Sequence, residues 1–390
     1  MMAAKGANGM RLYPGAVIRQ AREERQWSQE GLCSGICAVS YLSKIEQGKA
    51  EASPEILRLL FARLELAWYD DETTLSQVKE LTERFYEALF SYDSATLSAC
   101  EAELSAQTER LTHCVYAPDT ALMRAFLQKN AALAEAFEPY FDNMRLALLR
   151  LLQGRDEEAM RLYPCAYLSL MAGIGAYERG ESYTHAVELL RSSYEQAAAN
   201  GEARLMLSAQ MYMGNCYCNQ RNIGEMNAHY RIAARLARAL GDTEAIVHMR
   251  YNAASAQLET GEYDEAYRYF SAVKVHTVMS LHKLAVCCEK LGKTEEALAA
   301  LDCTKDMVSD YPPTETAQRM CALVRFRLEH TDYLHRAEYG EMLLAVFAEC
   351  RRSLPIGYAS FHLPWVLEWY TASRQYRFAY ELIRDFPIKI

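Results

Sequence analysis

Glycine and proline are scarce in this chain, 18 and 10 among 390 residues, while alanine, leucine, glutamate and arginine abound. Little in such a composition breaks a helix, so nearly every window favours one. Long apolar runs are also missing. Stretches such as Met342 to Ala348 fall far below the roughly 18 residues that a membrane-spanning helix requires, which excludes a helical membrane protein. No charged segment followed by an apolar one opens the sequence, so the 12 cysteines are expected as reduced cytoplasmic thiols rather than as the disulfide scaffold of a short secreted protein.

Signatures of catalysis are lacking too. There is no nucleophile elbow, no paired metal-binding helix and no glycine-rich dinucleotide fingerprint. Gly292-Lys293-Thr294 mimics the end of a phosphate-binding loop, but Cys287 stands where the first glycine belongs and both flanks read as helix. Cys33 with Cys37, Cys216 with Cys218, and Cys287 with Cys288 give no paired zinc spacing, and small thiols packed between helices account for them better. His113, His248 and His362 stand alone. The expectation is a protein that is not an enzyme and uses neither a metal nor a cofactor.

What is present divides unevenly along the chain. Residues 1–66 carry nine Lys/Arg against seven Asp/Glu, a net +2, which leaves −11 for the remainder of a chain whose formal charge is −9. A mildly cationic head on an acidic body is compatible with phosphate contacts by the head, but so small a charge does not establish them. At this length two or more folding units are expected.

In the head, Val17, Ile18 and Ala21 share one helical face, while Arg19, Arg22, Glu23 and Arg25 occupy the other. Ser28 is a good N-cap for a short helix reaching Cys33. Trp27 and Leu32 stand at the N′ and N4 positions of a hydrophobic staple, although Gly31 occupies the acidic position of a capping box. The run Ser34-Gly35-Ile36-Cys37 predicts a tight turn with Gly35 at positive φ. A second helix over Val39 to Gln47 follows, with Leu42 and Ile45 inward, Ser40, Ser43 and Lys44 outward and Gly48 as its stop. Ser53-Pro54-Glu55 then supplies an N-cap, a first-turn proline and a dipole-favoured acid for a helix over Ile56 to Leu66.

Two short helices across a glycine turn, braced by a helix on either side, form the bundle that lays its second helix in the DNA major groove. The head resembles the Cro-repressor-like helix-turn-helix in Ser28-Gln29-Glu30, Leu32, Tyr41 to Gly48, and Ser53-Pro54. Its turn is one residue shorter than usual there and is similar to that of the peptide-pheromone-responsive (RNPP) regulators typified by PlcR, in which tetratricopeptide repeats follow the head. By that resemblance Gln29 meets a phosphate, and Val39, Ser40, Ser43 and Lys44 face the groove. Arg19 and Arg22 are weaker candidates for DNA contact. Val39 suits a thymine methyl, Ser40 bonds several bases, and Lys44 reaches guanine or phosphate. Ala38 replaces the usual Ser or Thr cap of the reading helix, forfeiting about 1 kcal/mol.

Beyond the head a phrase recurs, first as Gly154 to Ala159 and then as Gly180 to Ala186, Gly261 to Ala266 and Gly292 to Ala297. A degenerate copy lies at Arg221 to Met226, with later ones at Thr331 to Ala337 and Arg374 to Ala379. Amphipathic stretches flank each phrase, so each unit reads as a helical hairpin, and the spacing straddles the tetratricopeptide period. Stacked hairpins create a concave groove lined by the first helix of each pair. Tyr212, Asn215, Asn219, Asn252 and Ser255 are expected to face it, where asparagines suit the backbone of an extended peptide.

The expected fold is therefore all-α: an N-terminal helix-turn-helix bundle (residues 12–70), a linker with divergent hairpins (71–140), and a tetratricopeptide-like right-handed helical superhelix (141–390) for ligand binding and dimerisation. The resemblance implies a homodimeric transcription regulator of double-stranded DNA controlled by a short signalling peptide. The competing expectation is a repeat scaffold that binds a protein partner, has no small peptide ligand, and carries a head of little DNA affinity.

Overall fold

Helices joined by short turns make up the computed structural model, which describes residues 13–69, 71–106, 111, 113–180, 182–309 and 311–386 and contains no strand among them. Positions 12, 70 and 390 of the expected domain limits, and Glu181 of the second repeat phrase, lie outside the described residues. The chain divides into two compact units, Met1–Ala172 with Glu195–Leu205, and Gly173–Tyr194 with Met206–Ile390.

The first unit opens with α1 (Tyr13–Glu24), α2 (Gln29–Cys33), α3 (Val39–Glu46) and α4 (Pro54–Arg63). Local chemistry sets their ends. The Ser28 hydroxyl accepts the Gly31 N–H at 3.0 Å and the Ser53 hydroxyl accepts the Ile56 N–H, each satisfying a first-turn donor. Gly35 and Gly48 take φ of +73° and +64°, as the turn and the helix stop require. Ala38 caps α3 without a side-chain hydrogen bond.

Ile18, Leu32, Leu42, Leu60, Phe61 and Leu64 are buried together, each contributing about 1.5–3 kcal/mol of apolar transfer. Ala117, Ala121 and Phe137 complete this core, so the stretch expected as a linker supplies part of the head's interior. Trp27, at 39% exposure, is one of the head's large exposed hydrophobics. The chain reversal there is held by Arg22, whose Nη1 donates to the Trp27 carbonyl at 2.8 Å.

After the head come α5 (Glu72–Phe90) and α6 (Ser94–Ala106), which pack together, then α7 (Ala117–Leu127) and α8 (Ala132–Glu135). Asp119, buried on α7, accepts the Tyr86 hydroxyl at 2.8 Å and the Arg145 Nε at 2.6 Å, tying three helices. The first repeat phrase joins α9 (Asn143–Leu152) to α10 (Asp156–Leu162). Helices α11 (Ala166–Arg179) and α12 (Tyr183–Asn200) each contribute to both units.

The second unit continues through hairpins α13 (Ala203–Asn219) with α14 (Ile223–Leu240), α15 (Thr243–Thr260) with α16 (Tyr263–Ala272), and α17 (Val278–Lys290) with α18 (Thr294–Asp302). Helices α19 (Thr314–Glu329), α20 (Ala337–Ser353), α21 (Ile356–Ala372) and α22 (Tyr376–Asp385) follow. The repeat phrases fall at the turns within hairpins, with Gly292 and Lys293 in the α17–α18 turn and Thr294 opening α18. A Cβ on Gly214 would lie 2.3 Å from Tyr230 Cε1, so only glycine lets α13 and α14 approach this closely. Buried Arg327 pairs with Glu289 at 2.7 Å and lies over the rings of Trp365 and Tyr333, pinning α19 to α17 and α21. That anchor escaped the sequence reading, which had no means of pairing residues 38 positions apart.

Candidate functional site

Helix α3 presents two faces of opposite character. Leu42 and Ile45 are buried, whereas Val39 is 42% exposed, Ser40 and Lys44 are exposed, and Ser43 is partly exposed and accepts the Gln47 amide at 3.1 Å. This is the disposition a reading helix needs: an apolar grip on its own domain, and short polar and cationic side chains directed away from it.

One carboxylate holds that helix in place. Glu46, 4% exposed, accepts Arg22 Nε at 2.7 Å and Arg22 Nη2 at 2.9 Å in a bidentate pair, and Gln29 Nε2 at 2.7 Å. Helices α1, α2 and α3 therefore meet at a single anion, and hydrogen bonding to Glu46 raises the Arg22 pKa above its ordinary value. Arg22 thereby becomes a positioning residue: its Nε, Nη1 and Nη2 are all engaged within the head, which corrects the expectation of a guanidinium free for DNA. The Gln29 amide donor likewise points inward. Arg19 stays on the surface, paired with Glu23 at 2.9 Å, a contact worth little in water.

Two further features fix the angle of α3. Gly15 is buried at its crossing with α1, where a Cβ would sit 2.0 Å from the Ile45 carbonyl oxygen. The Tyr41 hydroxyl donates to the Glu51 carbonyl at 2.9 Å, bracing α3 against the loop that follows it. Neither role was legible in a linear pattern, because each depends on which backbone lies opposite.

In the second unit, α13 and α15 bring most of the expected groove residues together but employ them on one another. Asn215 is 7% exposed, and its carbonyl oxygen accepts both the Tyr230 hydroxyl at 2.6 Å and the Asn252 amide at 3.2 Å. The Asn219 amide donates to the Tyr183 hydroxyl at 3.1 Å, and Tyr212 stands edge-on to Tyr177 at 5.5 Å. The Ser255 hydroxyl donates to the Tyr251 carbonyl of its own helix at 2.8 Å. What remains of this set for a ligand is chiefly the acceptor end of Asn252 and the donor end of Asn215.

Sequence reasoning missed two cations near these residues. Arg221 follows α13 and donates through Nη2 to the Ser360 carbonyl at 3.3 Å. Lys283, on α17, holds its Nζ 5.1 Å from the Tyr251 ring centroid and 5.6 Å from that of Phe361. A readable sign existed for the first: Arg221 occupies the turn position at which four repeat phrases have glycine, at 154, 180, 261 and 292.

No group of three or more His, Cys, Asp or Glu able to hold a metal occurs among the described residues. Nor is any described helix long and apolar enough to cross a membrane.

Comparison with known proteins agrees with this geometry. A family described as helix-turn-helix matches residues 18–67, the segment that contains α2, α3 and α4. The chain is 22% identical over 344 residues to the transcriptional activator NprA of Geobacillus stearothermophilus, covering 72% of this chain and 80% of that protein. It is also similar in fold to NprR, whose crystal structure holds its cognate peptide NprX, with a TM-score of 0.51 at 16% identity, covering 81% of this chain and all of that one. The helix-turn-helix match thus covers the head, while the rest of the chain, a body of helical hairpins, shares its likeness with a transcriptional activator in sequence and with NprR in fold.

Proposed function

We propose that this protein is a cytoplasmic, homodimeric transcription regulator that binds paired DNA half-sites through α3 and is controlled by a short peptide held on the repeat helices of its second unit. The observation that carries the first part is the two-faced α3, anchored inward through Glu46 and free outward at Val39, Ser40 and Lys44. Modest base readout is expected from so short a set of side chains, with Lys44 contributing to phosphate or guanine. Heads on adjacent half-sites stand roughly 34–36 Å apart or a multiple of it, so a ligand that shifts their spacing changes operator affinity.

The peptide reading is supported by the fold shared with peptide-bound NprR and by the Asn252 acceptor and Asn215 donor that their mutual bond leaves over. The test is selection of the purified full chain on a random duplex library, followed by binding of the enriched duplex across a salt series. A steep fall of affinity with salt, with the slope reduced by about 1 in Lys44→Ala, is the expected result. Salt-insensitive or absent binding, with a protein co-purifying instead, favours the scaffold reading to which the head's net charge of only +2 points.

A further inference from the structure

Six of the seven repeat turns contain a residue of positive φ, the α19–α20 turn having none among its described residues. Gly180, Gly261 and Gly292 supply it at +66°, +89° and +72°, at no steric cost. Between α13 and α14 the same position is Arg221, at φ +56°, a conformation that L side chains rarely adopt. Arg374 takes the same position at φ +59° between α21 and α22, so what distinguishes Arg221 is where its guanidinium goes. That group reaches α21 at Ser360, and Arg221 lines a small cavity of about 140 Å³ with Glu259, Lys290, Phe361 and Glu368.

Lys283 provides a second, independent oddity. Its ammonium, with three donors, is lodged beside two aromatic rings, and among the described residues it makes no hydrogen bond or ion pair. Glu259, the carboxylate close enough to influence both cations, makes none either. Burial pushes the Lys283 pKa down and the Glu259 pKa up, the directions expected of ionic groups short of both water and direct partners. With Lys290 and Glu368 of the cavity counted, three cations face two carboxylates, so this cluster is net positive by one charge within a body that is otherwise acidic.

We propose that Arg221 and Lys283 form a receptor for a carboxylate, the anchoring group of the peptide ligand, with Tyr251 and Phe361 flanking it. This deepens the peptide reading above and rests on it. A carboxylate accepts from a guanidinium through two parallel N–H donors and from the ammonium as a point charge, matching the donors that the protein itself leaves without acceptors. Arg221 has donors beyond the one engaged by Ser360. The carboxylate is either a chain terminus or an Asp or Glu side chain; the chemistry is shared, and experiment separates the sources.

The probes are synthetic random heptapeptide libraries incubated with the full chain, captured peptides being read by mass spectrometry after gel filtration. One library has free C-terminal carboxylates and lacks Asp and Glu, one is amidated and lacks them, and one is amidated and contains them. Capture at least tenfold above the amidated, acid-free library is expected from the free-acid library if the terminus is held, or from the amidated acid-containing library if a side chain is. Arg221→Gly should lower that capture tenfold or more while its melting temperature is unchanged or higher, because glycine adopts this turn freely; a merely structural arginine would leave capture intact. Lys283→Met should lose capture and Lys283→Arg should retain it. Equal capture from all three libraries overturns the carboxylate site and leaves the peptide reading standing, whereas no capture from any overturns both.

Discussion

The head and the repeat body each carry a row of polar side chains on a helix, and they use them in opposite ways. On α3 Ser40 and Lys44 are directed outward, and a single buried carboxylate, Glu46, does the inward work of fixing the helix. On α13 and α15 the asparagines bond to tyrosines and to each other, so polarity there first stabilises the packing, while Arg221 and Lys283 keep donors without a protein acceptor. A polar residue on a helix thus announces a binding surface only when no neighbouring element supplies its partner. In a short bundle few elements can do so; in a stack of hairpins every helix has several.

The severest challenge to this contrast is at Glu46. Glu46→Ala leaves the Arg22 guanidinium without its buried counter-charge and removes the acceptor of Gln29, so a loss of about 3–5 kcal/mol in unfolding free energy is expected, with DNA binding lost alongside it. Denaturant melts of wild type and variant measure it, and a variant that melts like wild type would show that the anchor is dispensable. Gly15→Ala is the steric counterpart: its Cβ would meet the Ile45 carbonyl at 2.0 Å, so about 1–3 kcal/mol of overpacking and displacement of α3 should follow. Near-native stability with DNA affinity lowered tenfold or more would locate the damage at the reading helix itself.

In the body a pH series gives the comparable effect. His362 is 1% exposed, and burial holds its pKa down at about 4, against about 6.5 in an unfolded chain. The folded form therefore resists a proton that the unfolded form accepts, so this contribution is intact above pH 6.5 and is lost as pH falls toward 4, by about 3 kcal/mol in all. His362→Phe should flatten the acid limb of stability, and an unchanged limb would refute the assignment.

Smaller effects separate the two asparagines. Asn215→Ala leaves the buried Tyr230 hydroxyl without its acceptor and should cost about 1–3 kcal/mol, whereas Asn252→Ala removes one donor at a partly buried site and should cost about 0.5–1.5 kcal/mol. Equal losses in thermal melts would mean that the pair does not act through Tyr230. Least of all, Lys44→Ala should leave stability within about 0.5 kcal/mol while changing the salt dependence of DNA binding, since its ammonium serves nothing inside the head.

Much of the head was legible in linear order because its determinants are local. Ser28, Gly35, Gly48 and Ser53-Pro54 act within one turn of where they stand, and the inward pair Leu42 and Ile45 follows from a period of 3.6. The repeat turns were legible for the same reason, although the cation that one of them carries at Arg221 was not.

What the linear chain determined by itself, then, is where helices start, stop and turn their apolar faces, since caps, positive-φ glycines and periodicity act over four or five residues. Which polar groups meet was decided only in three dimensions. Arg22 finds Glu46 at a separation of 24 residues, Asn252 finds Asn215 at 37, and Arg221 finds Ser360 at 139. A hydrogen bond depends on tenths of an ångström between atoms whose positions only the packed helices define.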